Sequence, residues 1–153
     1  MKRFRFPLQP LLTAREQIER RHQQAVAAAE SERRRLEEAL RAAQQGIAGS
    51  KAQARGHLVG TLNMNALRAS AAVTVVQMRE AQRIVIDLAG AHRRLEHARA
   101  GLVTAARDRR AIELLRERAM ERWRREKSRR EDTIADELAV QQAFALAAKE
   151  RES

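Results

Sequence analysis

The chain has no cysteine and no tyrosine, and its 153 residues include only two prolines, one tryptophan and three phenylalanines. Without cysteine there is neither a disulfide nor a thiolate metal site, a composition that fits a reducing compartment. With aromatics at 3%, a thick core cannot be filled, whereas a narrow seam between two helices can. No apolar run approaches the roughly 20 residues that span a bilayer. The opening MKRFRFPLQPLL has a basic head but no apolar stretch of signal-peptide length. A soluble chain is expected, with any membrane contact borrowed from a partner.

Catalytic patterns are missing as well. His22, His57, His92 and His97 show no metal-ligand spacing with one another or with a carboxylate motif. Gly46, Gly49, Gly56 and Gly60 match neither a phosphate loop nor a dinucleotide fingerprint. Ser50 and Ser70 have no nearby base in the sequence. The expectation is a non-enzymatic protein with no cofactor and no metal.

What is abundant is charge. Asp, Glu, Lys and Arg make up 33% of the chain and the net charge is +11, a balance that favours acidic surfaces such as nucleic acid, anionic lipid or an acidic protein. Arg and Glu are interleaved rather than blocked, so most of this charge reads as solvated helix face. The clearest case is residues 107–139, RDRRAIELLRERAMERWRREKSRREDTIADELA, which contain no Gly and no Pro. Apolar residues recur there at Ile112, Leu115, Ala119, Trp123, Ile134 and Leu138. So polar a helix lies along one partner with most of its circumference in water.

Pro7 and Pro10 delay the first helix to about residue 10. From Leu11 an apolar seam runs through Ile18, Val26, Ala29, Leu36, Leu40, Ala43 and Ile47, in alternating steps of three and four after Val26 with only Arg33 breaking the run of apolar residues. This is a heptad stripe, with an extra step across His22 that resembles a stutter. Four of the six glycines then fall between residues 46 and 60, followed by Thr61, Asn63 and Asn65, the only strong break in the chain. Thr61 or Asn63 is the expected N-cap of a second helix.

The pattern predicts an all-α fold: a long antiparallel two-helix coiled-coil hairpin in a single domain. Its helices span about 10–56 and 64–148, with a turn at about 57–63, and the C-terminal helix is longer and overhangs the first. The second stripe reads Leu67, Ala71, Thr74, Met78, Ala81, Val85, Leu88, His92, Leu95, Arg99 and Leu102. Pairs such as Leu40 with Ala81, Leu36 with Val85 and Val26 with Leu95 have numbers adding to 121 and place the apex at Gly60 and Thr61; a register displaced by a whole heptad also matches the stripes, and this one agrees best with the break. In that register Leu11 lies near Arg110, and residues from Ala111 onward have no intramolecular partner. Trp123 then has two readings: a filler packed against a returning segment carrying Phe4 and Phe6, or an intermolecular anchor, where Trp and Arg are enriched.

Two parts of the chain together resemble a known family. The opening MKRFRFPLQPLLTAREQIE is similar to the start of the flagellar type III export protein FliJ family, a basic F-x-F-x-L-x-x-L-L followed by R-E. Residues 107–139 resemble that family's C-terminal signature, through the basic lead-in, Leu115-Arg116, the aromatic position at Trp123 and the closing Asp136-Glu137-Leu138-Ala139. The resemblance implies a coiled coil similar to the rotor stalk of rotary ATPases. Such a stalk sits in the centre of the hexameric flagellar export ATPase, links it to the membrane export gate and escorts export chaperones.

On that reading the chain is a cytoplasmic, monomeric stalk, held at the inner membrane peripherally through the export apparatus and not inserted in it. Arg116, Arg122, Trp123, Arg124 and Leu138 are the candidates for the ATPase ring, and Leu40, Ile47, Ala72 and Val76 for the gate. The tip departs from the family in carrying Leu58, Val59, Leu62, Met64 and Leu67 without an aromatic residue. The equivalent stalk of a virulence-type secretion system is an alternative. A basic helical nucleic-acid binder is the rival from another class, recognisable by a steep salt dependence. Acidic residues on the same faces, and the lack of a helix-turn-helix or stacking platform, weigh against nucleic acid.

Overall fold

The computed structural model describes residues 3–151, with side chains described through residue 144. It contains two helices, α1 (Gln9–Gly56) and α2 (Met64–Arg151), of 48 and 88 residues, and no strand among the described residues. Pro10 occupies the first turn of α1, where its missing N–H costs nothing. The Gln9 N–H donates to the Phe6 carbonyl at 3.1 Å and closes the turn that leads into the helix. α1 ends at Gly56, and the turn passes through Gly60 at a φ of 94°, a conformation that favours glycine. Asn63 caps α2: its Oδ1 accepts from the backbone N–H groups of Asn65 and Ala66 at 3.1 and 3.2 Å.

The chain divides into two compact units, Gln17–Ala106 and Met1–Glu16 with Arg107–Ser153. Within the first, α1 and α2 pack as an antiparallel hairpin along one narrow seam. On α1 the least exposed positions follow His22, Val26, Ala29, Arg33, Leu36, Leu40, Ala43, Ile47, Ser50 and Ala54 in unbroken steps of four and three. Glu19, three residues before His22, is half-buried while Ile18 is exposed, so the extra step expected across His22 is absent. On α2 they follow Leu67, Ser70, Thr74, Gln77, Ala81, Ile84, Leu88, Ala91, Leu95, Ala98, Leu102 and Ala105. Half of the expected second stripe thus moves by one residue. Met78 and Val85 stay exposed, as do His92 and Arg99, while Ala91 and Leu95 are almost fully buried.

The shift has a desolvation cause. A heptad seam uses one stripe along its whole length. The stripe through Met78 and Val85 also carries His92 and Arg99, whose burial would cost more than leaving two apolar residues half bare. Kept at the flank, Arg99 instead reaches Glu30 at 3.2 Å and Arg94 reaches Glu32 at 2.9 Å. The polar seam residues near the turn satisfy each other, with the Ser50 hydroxyl donating to Gln77 Oε1 at 2.8 Å.

These contacts also revise the pairing. His22 lies against Gly101 and Gly46 against Gln77, pairs that add to 123, and Glu32–Arg94 and Ser50–Gln77 add to 126 and 127. In each of these four pairs the α1 residue meets a partner further along α2 than pairs adding to 121 would provide. A cysteine pair made by His22→Cys and Gly101→Cys is expected to oxidise readily. A Cβ at Gly101 would stand 3.9 Å from His22 Cγ, so the two positions face each other across the seam, as a disulfide requires. The alternative pair from the 121 register, His22→Cys with Arg99→Cys, is expected to stay reduced under the same oxidant; preferential bridging of that pair would restore the shorter register.

Gly101 is a site of close approach, for a Cβ there would lie 2.9 Å from His22 Nδ1 and 3.0 Å from Cε1. Gly49, in α1, has nothing within 4 Å. Opposite effects of the same substitution follow. Gly49→Ala is expected to stabilise by about 0.5–1 kcal/mol through helix entropy. Gly101→Ala is expected to destabilise by about 1–2 kcal/mol because overpacking outweighs that gain. Adding His22→Ala should reverse the second effect in a double-mutant cycle read by urea unfolding.

Candidate partner-binding faces

In the unit formed by the chain's opening and its later part, the stripe of α2 beyond Arg107 is partly covered by its own chain. Leu12 is buried to 1% exposure, and Arg15 bonds Asp108 at 2.9 Å. Residues 3–8 precede the helix as a strap, with the Phe4 ring packed on Trp123 at a centroid distance of 6.0 Å and an interplanar angle of 59°. Such a tilted aromatic pair is attractive beyond its buried area. The Lys127 ammonium lies 5.7 Å from the Trp123 ring centroid, within cation–π range. Phe4, Arg5, Phe6, Pro7, Gln9, Pro10 and Arg116 line an open cavity of about 680 Å³.

Of the two readings of Trp123, the packed one therefore holds in the free chain. The bare part of the overhang starts later than Ala111, since Ile112, Ala119, Met120, Trp123 and Lys127 are all half-buried. From residue 128 to residue 144 every side chain is exposed. Ile134, Leu138, Val140 and Phe144 are 55%, 52%, 53% and 73% exposed.

The ring candidates fall into two groups. Trp123 is half-buried under Phe4, whereas Arg116, Arg122, Arg124 and Leu138 are exposed. Around them the carboxylates are largely engaged along the helix, in the pairs Arg125–Glu121, Lys127–Glu131 and Arg130–Glu126. Among the described residues no ion pair engages Arg122 or Arg124. Closer to the hairpin, Arg110 bonds Glu113 and Glu117 at 3.2 and 2.9 Å. The hydrogen bond from Arg110 holds the Glu113 carboxyl below the usual carboxylate range. The support this exposed pair lends is present at neutral pH and disappears in acid, as the pH falls through that lowered pKa.

The gate candidates are also divided. Leu40 and Ile47 sit half-buried at the α1 seam, while Ala72 and Val76 are exposed on α2, Val76 to 64%. Leu40 also lines a shallow apolar groove of about 490 Å³ with Gln44, Ala81, Gln82, Val85 and Ile86. Sequence reading did not single out Ile86, which is 72% exposed. Its signal was available as a large aliphatic residue off both stripes. Among the described residues no cluster of His, Cys, Asp or Glu is placed to hold a metal ion, and no helix is long and apolar enough to cross a membrane.

Comparison with known proteins adds family to geometry. A solved structure described as that of a YscO homologue from Chlamydia trachomatis superposes with a TM-score of 0.66 at 18% identity, covering 90% of this chain and 93% of that one. The two share a fold. A comparison with curated proteins yields no match. The family model for the flagellar FliJ protein matches residues 4–147, a span that takes in most of the strap, all of α1, the turn and α2 as far as residue 147. The chain therefore belongs to the flagellar FliJ family, a family of non-catalytic components of the type III export apparatus.

Proposed function

We propose that this protein is a non-enzymatic coiled-coil stalk of the flagellar type III export apparatus, linking the hexameric export ATPase to the membrane export gate. It works in the cytoplasm, joins the inner membrane peripherally through the apparatus, and escorts export chaperones. The observation that carries the ring-binding half is the bare end of α2. Residues 128–144 form a continuous helix with every side chain exposed, including Ile134, Leu138, Val140 and Phe144. An exposed apolar stripe of this kind calls for a partner that buries it.

Arg116, Arg122, Trp123, Arg124 and Leu138 serve the ring. Arg122 and Arg124 have no intrahelical ion pair to give up, so they are available to acidic loops of a partner at little cost. Leu40, Ile47, Ala72 and Val76 serve the gate. Ala72 and Val76 offer exposed apolar contact, while Leu40 contributes through the groove edge and Ile47 supports it from the seam.

Charge reversal of Arg122 and Arg124 to Glu should weaken binding to the purified export ATPase at low ionic strength. The loss should fade between about 0.05 and 0.5 M salt, because the Debye length that screens exposed charges falls from about 14 Å to about 4 Å over that range. An affinity indifferent to both the reversal and the salt would remove these arginines from the interface.

A further inference from the structure

We propose that residues 3–8 are a displaceable internal ligand that masks Trp123, so that the strap and the export ATPase compete for the same face of α2. The proposal rests on the ring-binding role given to Trp123 above.

Three observations carry it. The strap precedes α1, which starts at Gln9, and is tied to it through the Phe6 and Leu8 carbonyls, which accept from the Gln9 and Leu12 N–H groups; Phe4, ahead of both, can swing off its seat without breaking those bonds. Its hold on α2 is local: Phe4 packs at a tilt on Trp123, and Phe6 and Pro7 border an open cavity with Arg116. Finally, the stripe is half-buried as far as Trp123 and Lys127 and continues uncovered through Ile134 and Leu138. A partner can therefore seat on the bare turns first and then extend onto Trp123 by displacing Phe4. Arg116, Arg122 and Arg124 remain exposed throughout, so the masked element is the apolar anchor and not the charges.

The consequence is a tax on affinity. When only a fraction of molecules has the binding face open, the apparent dissociation constant rises by the inverse of that fraction. If the strap is seated in about nine molecules of ten, unmasking should tighten binding about tenfold.

Trp123 is the only tryptophan in a chain without tyrosine, so its own fluorescence reports whether the strap is seated. The test compares the full chain with the double variant Phe4→Ala, Phe6→Ala, by acrylamide quenching of Trp123 and by titration against the purified hexameric export ATPase. The expected result is stronger quenching, a red-shifted emission, unchanged far-ultraviolet circular dichroism and an affinity for the ATPase raised at least threefold. Unchanged quenching would overturn the proposal, because the strap would not be covering the ring. Increased quenching with equal or weaker affinity would overturn the masking alone, since the strap would then be either irrelevant to binding or part of the interface. Failure of both proteins to bind would overturn the ring-binding reading and the competition with it. Should the double variant lose helicity, the single Phe4→Ala change decides the same question by the same readouts.

Discussion

Leu95→Ala is expected to cost about 2–5 kcal/mol, the range for removing a large apolar side chain from a closed site. Leu95 is 1% exposed, and the described residues buried to that degree are few: Leu12, Ala91 and Leu95, with Ala105 at 5%. A two-helix seam has one layer on either side of each contact, and the neighbours of Leu95 along its stripe are Ala91 and Ala98, too small to refill the gap. The loss should appear as a lower urea midpoint at an unchanged slope. Val85→Ala is the matched control. Val85 is 51% exposed, so its truncation should cost well under about 1 kcal/mol. Equal effects at the two positions would place the seam on the stripe through Val85 and undo the assignment made above.

The second large effect is on binding. Trp123→Ala combined with Leu138→Ala is expected to leave helical content nearly unchanged and to weaken binding to the export ATPase tenfold or more, about 1.4 kcal/mol. Burial of one such side chain is worth roughly 1.5–3 kcal/mol, so losing two leaves a wide margin over that threshold. The single changes separate the contributions. Leu138 is 52% exposed, so Leu138→Ala should alter affinity without altering stability. Trp123 carries the Phe4 and Lys127 contacts, so Trp123→Ala should also release the strap. Wild-type affinity of Leu138→Ala would exclude the bare end of α2 from the interface. Melting of the hairpin by the double change would make the stripe internal core and end the stalk reading.

Much of this molecule is legible in the order of its residues. The glycines and Asn63 mark the turn, and the cap forms where the residue type demands it. The alternation of three and four from Val26 to Ile47 marks the α1 seam. The charge on residues 107–139 marks a helix that lies mostly in water. These signals are local: backbone conformation at glycine, a side-chain acceptor at a helix start, and helical periodicity all act within a few residues.

Two things were decided only by tertiary packing. The first is which of two adjacent stripes on α2 is buried. Near the turn the stripe of Ala71, Met78 and Val85 is the more apolar, and further along the stripe of Ala91, Ala98 and Ala105 is, so no single window resolves the choice. A coiled-coil seam keeps one stripe over its whole length, and the cost of burying His92 and Arg99 tips the entire helix toward the alanines. The second is the fate of Trp123. Phe4 lies far from it in sequence, and nothing in the spacing of either aromatic announces their contact. It forms because the strap ahead of Gln9 lies against α2, where Phe4 packs on the Trp123 ring and leaves it half-buried. Periodicity along one helix can show that a face is apolar, but what covers that face depends on a distant part of the chain, and only the packed structure brings the two together.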